Sequence, residues 1–300
     1  MATLTSNLAS SFKYVPKHKE ISEKEIRRLK EFIAKSSRLF VLTGAGVSTE
    51  SGIKDYRSQG VGLYHTSQHR PMQHSEFIKS EAARQRYWAR NAVGWPIFRE
   101  FQPNIIHSYL ATLENQGTLH WLATQNVDNL HYKAGSRKVT ELHGTVYAVV
   151  CLNCHAVISR DAMQEKISAS NQGWTAAMLE EAPDADVVIS EDAVKSFVTP
   201  SCDNCGGILK PNVVFFGGSV NKRIVDLINS QISVADALIV LGTSVQTYSA
   251  LRHVKYANMM SIPIGIVNIG PTRVDSLANF KISSRCGYVF GKILSPGACV

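Results

Sequence analysis

Four short apolar runs, each ending in small or polar residues, restrict this chain more than any other feature. Leu39-Phe40-Val41-Leu42 runs through Thr43 into Gly44-Ala45-Gly46, and Trp121-Leu122-Ala123 leads into Thr124-Gln125-Asn126. The run from Ala237 to Leu241 ends at Gly242-Thr243-Ser244, and that from Ile262 to Val267 ends at Asn268-Ile269-Gly270. Runs of this length suit strands buried on both faces. Continuous apolar strands separated by helical segments indicate an α/β chain with a parallel sheet covered on both sides. Ligands of such sheets bind outside the carboxyl ends of the strands. The four polar ends are therefore expected to converge on one crevice. One helix is legible ahead of the first run. Ser22 and Glu25 form a capping box, and Ile26, Leu29, Phe32 and Ile33 then share a helical face.

With 300 residues, 44% of them hydrophobic, the chain has material for a sizeable core. No apolar run reaches the roughly 18 residues of a membrane span, so no membrane partner is expected. The net charge is +8, of which Lys13, Lys17 and Lys19 supply +3 in residues 1–19, leaving +5 (8 − 3) for the remainder. A mild basic excess suits an anionic ligand, and a solvated surface accounts for it equally well. Basic runs interleaved with aromatics are missing, so nucleic acid is not expected as a partner. Residues 1–19 are rich in Ser and Thr and hold no acid, as mitochondrial presequences do, but they also hold no arginine. A presequence and a plain tail both remain open for them.

Six cysteines are few for a disulfide-built scaffold of this length. Four of them form Cys151-x-x-Cys154 and Cys202-x-x-Cys205, which supply four thiolates for a tetrahedral zinc. Disulfides and a redox pair are the competing readings. Four protein ligands leave no open position, so the metal would be structural. The 47 residues between Cys154 and Cys202 exceed the roughly 15–20 of a zinc ribbon, so they must fold out and return. They include an acidic stretch from Asp161 to Asp192. Residues 151–205 read as a module inserted into the sheet pattern.

Two further features carry chemistry. Glycines in Thr43-Gly44-Ala45-Gly46-Val47-Ser48-Thr49-Glu50-Ser51-Gly52 could let amides approach a pyrophosphate, with a following helix N-terminus favouring its charge. Thr49 stands where a dehydrogenase loop has its third glycine, and a tight strand-to-helix turn explains the segment as well. Gln125-Asn126-Val127-Asp128 offers amides and a carboxylate for a ribose and a carboxamide. In Glu141-Leu142-His143-Gly144, the histidine could serve as a general base or be structural.

In order along the chain, the sequence resembles the sirtuin family. The resemblance rests on Gly44-Ala45-Gly46-Val47-Ser48, Ser51-Gly52-Ile53, Asp55-Tyr56-Arg57, Thr124-Gln125-Asn126-Val127-Asp128, Leu142-His143-Gly144, the four paired cysteines, Val213-Val214-Phe215-Phe216-Gly217, Gly242-Thr243-Ser244 and Asn268-Ile269-Gly270. It covers about residues 21–286. Val61-Gly62-Leu63-Tyr64, the 84–90 segment from Arg84 to Arg90, and Asn268 to Arg273 look like the mitochondrial class II sirtuins, a group associated with lipoamidase, deacylase and ADP-ribosyltransferase activities.

The resemblance implies an α/β fold: a Rossmann-like parallel-sheet lobe with a small inserted zinc-binding module at about residues 147–207, within a catalytic domain of residues 20–300. It implies NAD, consumed as co-substrate, and one structural Zn2+. Gly44, Ala45, Gly46, Ser48, Thr49, Gly52, Ile53, Asp55, Tyr56, Arg57 and Tyr64 would form the cofactor loop. Gln125, Asn126, Val127 and Asp128 would hold the nicotinamide ribose and carboxamide, Asn126 with a catalytic part. Gly242, Thr243, Ser244, Asn268, Ile269, Gly270 and Cys286 would line the adenosine side, and His143 would be the general base. The acyl-lysine oxygen would displace nicotinamide, His143 would activate a ribose hydroxyl, and the acyl group would leave on ADP-ribose. The partners implied are acyl-lysine proteins, paired by strand addition to Val213–Phe216. The implied location is the mitochondrial matrix, the cytoplasm being the alternative. The chain departs from the family's usual residues at Lys54 (proline), Asn212 (aspartate) and Gly218 (an acid).

Overall fold

A computed structural model describes residues 13–294 of the chain. Residues 1–12 of the tail or presequence, and Cys299, lie outside the described residues. The strands in chain order are β1 (Leu39–Thr43), β2 (Leu119–Thr124), β3 (Val139–Glu141), β4 (Gly144–Cys151), β5 (Val157–Ser159) and β6 (Glu180–Glu181), followed by β7 (Val187–Val188), β8 (Leu209–Val213), β9 (Ala237–Leu241), β10 (Ile264–Val267) and β11 (Phe280–Ile282).

Six of them form a parallel sheet in the order β11-β10-β9-β1-β2-β3. The chain enters at β1 in the middle, builds outward to β3, and returns to the other flank of β1 at β9. The two halves therefore diverge between β1 and β9, which is where a crevice opens at the carboxyl edge of such a sheet. All four apolar runs became strands of this sheet. The two strands without such a run, β3 and β11, are its edges, where one flank is open and a continuous apolar stretch is not required.

Every residue of β1 is buried, and alternate side chains enter different cores. Leu39 and Val41 pack with Leu29 and Ile33 of the Glu23–Ala34 helix, with Ile106 and Leu110 of the Ile105–Asn115 helix, and with Phe290 of the Cys286–Leu294 helix. Phe40 and Leu42 pack on the opposite face with Ile228 and Ile232 of the Lys222–Ser233 helix and with Leu251 and Val254 of the Tyr248–Met259 helix. Each such side chain contributes about 1.5–3 kcal/mol on burial. The Glu23–Ala34 helix starts at the expected capping box, where the Ser22 amide donates to Glu25 Oε2 (2.8 Å) and the Glu25 amide to Ser22 Oγ (3.3 Å). Among the described residues, no helix is long and apolar enough to cross a membrane.

The 151–205 region folds apart from this sheet. An antiparallel sheet of order β5-β4-β8 carries the cysteine pairs at its end, with Cys151 opposite Leu209. It leans on the long Glu81–Phe98 helix, where Trp88 packs among Val149, Met163 and Leu209 and donates its indole N–H to the Leu209 carbonyl (3.0 Å). Between the pairs, the Arg160–Ser170 helix is followed by a hairpin of β6 and β7, whose turn holds Asp184 and Ala185 in left-handed backbone.

Candidate active site

The ends of β1, β2, β9 and β10 open into one cleft of about 1880 Å³. Ala45, Gly46, Thr49, Asp55, Tyr56, Arg57 and Tyr64 come to its wall from the loop after β1, and Gln125, Asn126 and Val127 from the end of β2. His143 enters between β3 and β4. Gly242, Thr243 and Ser244 follow β9, Asn268, Ile269 and Gly270 follow β10, and Cys286 starts the last helix. The expected convergence of polar strand ends is therefore present. The remaining residues of the expected set stand off this wall. Gly44 lies under Thr243, and Gly52 and Ile53 face a smaller pocket with Gly94, Phe98 and Phe101. Ser48 and Asp128 are buried behind Asn126.

The loop after β1 departs from its sequence reading. No α-helix follows it directly: two single 3-10 turns, Ala45–Val47 and Thr49–Ser51, come first and end at Gly52 with φ 96°. The reason is a cross-link to β9. Gly44 N–H donates to the Leu241 carbonyl (3.2 Å) and Gly46 N–H to the Gly242 carbonyl (2.8 Å). A Cβ on Gly46 would stand 2.7 Å from the Gly242 oxygen, and Gly242 has φ 57°. These glycines let two loops touch, and two of the amides expected to meet a phosphate are already engaged. Positive charge reaches the cleft from side chains instead. Lys17, Lys19, Arg57, Arg252 and Arg285 line it, against Asp55 and Asp184. That balance suits an anionic dinucleotide.

Beneath the loop, one hydrogen-bonded chain fixes the amide side chains. Asn126 Nδ2 donates to the Gly44 carbonyl (3.2 Å) and to Ser48 Oγ (3.0 Å), and Ser48 Oγ donates to Asp128 Oδ2 (2.6 Å). Asp128 also accepts from the Leu130 amide (2.9 Å), while burial raises its pKa above the ordinary aspartate value. With its nitrogen committed, the carboxamide oxygen of Asn126 is the atom left for a ligand. Gln125 is held by Thr43, Thr243 and Thr247. Asp128 thus orients the site from behind.

His143 has a defined tautomer. Its Nδ1 faces the Gln125 carbonyl (3.0 Å), which can only accept, so Nδ1 carries the hydrogen. Its Nε2 faces the Ser249 hydroxyl (2.8 Å) with a lone pair. Burial holds the pKa below the ordinary histidine value. The turn that aims His143 needs Gly144, whose φ is 78° and whose Cβ would lie 2.0 Å from the Asn212 carbonyl oxygen of β8. Ser249 has no sequence signal: 106 residues separate it from His143.

The segment expected to add a substrate strand is partly occupied along one edge. Val214 N–H donates to the His143 carbonyl, and the Phe216 carbonyl accepts from His74 N–H (both 2.8 Å). On the other edge the Phe215 carbonyl already accepts from Gly218 N–H (2.9 Å), which leaves the Phe215 N–H for a docking peptide.

The acidic insertion folds back onto the cofactor loop. Lys54, in place of the usual proline, is 6% exposed and pairs with Glu180 (3.2 Å) while also donating to the Glu181 carbonyl (3.4 Å). Tyr56 donates to Asp184, and Ser67 to Glu180 (2.9 Å). Asp184 itself lines the cleft, with burial pushing its pKa up to about 6. Val15 to Lys19 also line the cleft, within the stretch read from sequence as a tail or presequence. His18 is hydrogen-bonded to Ser284 (2.8 Å).

All four paired thiols lie within 4.8 Å of one another, with Cys151–Cys205 at 3.5 Å and Cys154–Cys202 at 3.7 Å. A disulfide needs about 2.05 Å, whereas thiolates at about 2.3 Å on a tetrahedral zinc stand about 3.8 Å apart. The donor set fits a closed structural zinc.

Comparison with known proteins agrees with this geometry. Residues 44–249 match the Sir2 family model. The NAD-dependent protein lipoamidase sirtuin-4, mitochondrial, of Homo sapiens is 51% identical over 274 residues, covering 91% of this chain and 87% of that protein. The NAD-dependent protein deacylase Sirt4 of Drosophila melanogaster is 49% identical over 280 residues, covering 93% and 90%. A solved Sir2 complex with a p53 peptide and NAD+ superposes with TM-score 0.70 at 27% identity, over 89% of this chain and 97% of that one. Sheet order, cleft, cysteine cluster and sequence agree, and the chain belongs to the Sir2 family, the sirtuins.

Proposed function

We propose that this chain is an NAD-dependent protein-lysine deacylase of the mitochondrion, working in the matrix on acyl-lysine proteins. Residues 20–300 form its catalytic domain, with the zinc module at about 147–207. The family and the names of the human and fly relatives support the reading. The observation that carries it is the neutral His143, with its Nε2 lone pair turned into a cleft rimmed by cations. NAD supplies an activated ribosyl carbon when bound. Gln125 and Asn126 orient its nicotinamide end, Asn126 through its carboxamide oxygen. Asp128 and Ser48 hold Asn126 in place. His143 would take a proton at Nε2 from a ribose hydroxyl of bound NAD, which would free that oxygen as the acceptor of the acyl group. Thr243, Ser244 and Asn268 bound the adenosine end, while Arg57 and the cationic rim meet the phosphates. Mono-ADP-ribosyl transfer to protein would use the same cleft with another nucleophile.

Incubation with NAD and acyl-lysine peptides of one sequence tests this reading, with nicotinamide release and free lysine as readouts. Release of nicotinamide stoichiometric with deacylation is expected. Reduction of NAD, or its stability with every peptide, would count against it. Longer or branched acyl chains, lipoyl-like ones included, are expected to give higher specificity constants than acetyl, since each buried methylene contributes about 0.8 kcal/mol. Equal or higher values for acetyl would refute that preference.

A further inference from the structure

Ser249 stands in the cleft with its hydroxyl on the catalytic nitrogen. The arrangement has three parts. The hydroxyl is 2.8 Å from His143 Nε2, and the Gln125 carbonyl fixes the ring from the other side at 3.0 Å. Both side chains line the cleft. A hydroxyl, a base within 2.6–3.2 Å and a third group orienting the base are the structural signature of an activated serine. Here a backbone carbonyl takes the place that a carboxylate has in a triad. The imidazolium that forms is therefore less stabilised. Burial keeps the resting ring neutral and able to accept, while adding to the cost of the imidazolium.

Position adds a further factor. Ser249 is the second residue of the twelve-residue Tyr248–Met259 helix. The first-turn amides of a helix have no intrahelical partner, and its N-terminus favours negative charge. Negative charge developing on an acyl oxygen beside Ser249 would meet that end.

We propose that Ser249 and His143 form a nucleophile–base pair that accepts acyl groups from activated esters and thioesters without NAD. Ser249 Oγ attacks the acyl carbon, and its proton passes to His143 Nε2. The bond to the alcohol or thiol breaks, and that leaving group takes the proton from Nε2. The product is an ester on Ser249 Oγ. Water, giving its proton to the same nitrogen, then hydrolyses the ester to free acid and serine. Lysine amides have too poor a leaving group for this route and stay with the NAD-dependent one. The proposal shares His143 with the deacylase reading but needs neither NAD nor a peptide.

The test uses the full chain with 4-nitrophenyl butyrate and no NAD, following nitrophenolate release and mapping the adduct by peptide mass spectrometry. A butyryl group on Ser249 is expected. Nitrophenolate release should fall at least about tenfold in Ser249→Ala and in His143→Ala, in line with the 100-fold or larger effect typical of a general base. Ser249→Cys should keep the adduct, and saturating NAD should slow wild-type labelling. If wild-type protein carries butyryl only on lysines, or if Ser249→Ala releases nitrophenolate at the wild-type rate, the proposal is overturned. Mapping on the wild type decides the question even if the alanine variant fails to fold. Nicotinamide release from NAD and peptide by the same preparation reports separately on the deacylase reading.

Discussion

At the scale of single residues, the tautomer of His143 decides what the cleft can do. The Gln125 carbonyl leaves the ring one lone pair, at Nε2, and the Gly144 turn aims that nitrogen at the wall shared with Ser249. Because the folded pKa lies below the ordinary histidine value, the base stays neutral at physiological pH. The acid limb of kcat/KM is therefore expected below about 6.5, with activity falling as pH drops through the folded pKa. His143→Ala should lower deacylation about 100-fold or more while NAD still binds. A rate above about a tenth of wild type in that variant, or an acid limb above pH 7, would remove His143 from this role. His143 was legible in the sequence as the histidine of Glu141-Leu142-His143-Gly144, a candidate base to which the sirtuin resemblance gives that role. Ser249 was not, since nothing within its helix distinguishes it and only the meeting of the turn after β3 with the start of the Tyr248–Met259 helix brings it to the ring. The glycine loop was legible as a loop, but the engagement of its amides by Leu241 and Gly242 was not. That depends on β9 lying beside β1, a pairing almost 200 residues apart.

At the scale of elements, the acidic insertion acts as a brace on the cofactor loop. From sequence alone, so acidic a stretch is compatible both with a solvated surface loop and with a segment folded back toward the cleft. The structure puts Glu180 on Lys54 and Ser67, Asp184 on Tyr56, and Asp186 on His69 (2.6 Å). Lys54 thus exchanges the fixed backbone of proline for a tether, which gives the unusual residue a reason. Cysteine spacing made the excursion legible. Its direction of return was not, because it depends on complementary charges in two segments far apart in sequence. The brace is pH-dependent, and the sign follows from Asp184. Burial raises its folded pKa to about 6, above the unfolded aspartate value, so the folded form holds the proton more tightly. Its contribution to docking is fullest below about pH 4 and declines as pH rises through about 6. Amide hydrogen exchange across residues 180–188, corrected for intrinsic rates, should be faster at pH 7.5 than at pH 5.5, and Asp184→Asn should flatten the difference. Identical pH dependence in the two proteins would exclude Asp184 as its source.

At the scale of the whole molecule, the zinc module and the catalytic cleft share two strands. β4 begins at Gly144, next to His143, and ends at Cys151, while β8 runs from beside Cys205 to the Val213–Phe216 wall. The metal cluster and the acyl-transfer site are therefore opposite ends of one antiparallel pair. The insertion that braces the cofactor loop also starts and finishes at the cysteines. A closed site of four thiolates has no position for water, so the metal stabilises the fold without entering the reaction. Loss of one ligand should act on chemistry only through geometry. One zinc per chain is expected by elemental analysis. Cys202→Ser should lower Tm and raise KM for the acyl peptide, because Val213–Phe216 and the hairpin lose their anchor. NAD binding should suffer less, since most of its wall comes from the parallel sheet, whose two cores contain none of the four cysteines. Calorimetric titration with NAD and peptide kinetics on the same variant separate these effects. Well-folded, active protein without zinc would dismiss the metal altogether. Equal losses for NAD and peptide would show that the sheet lobe does not stand without the module.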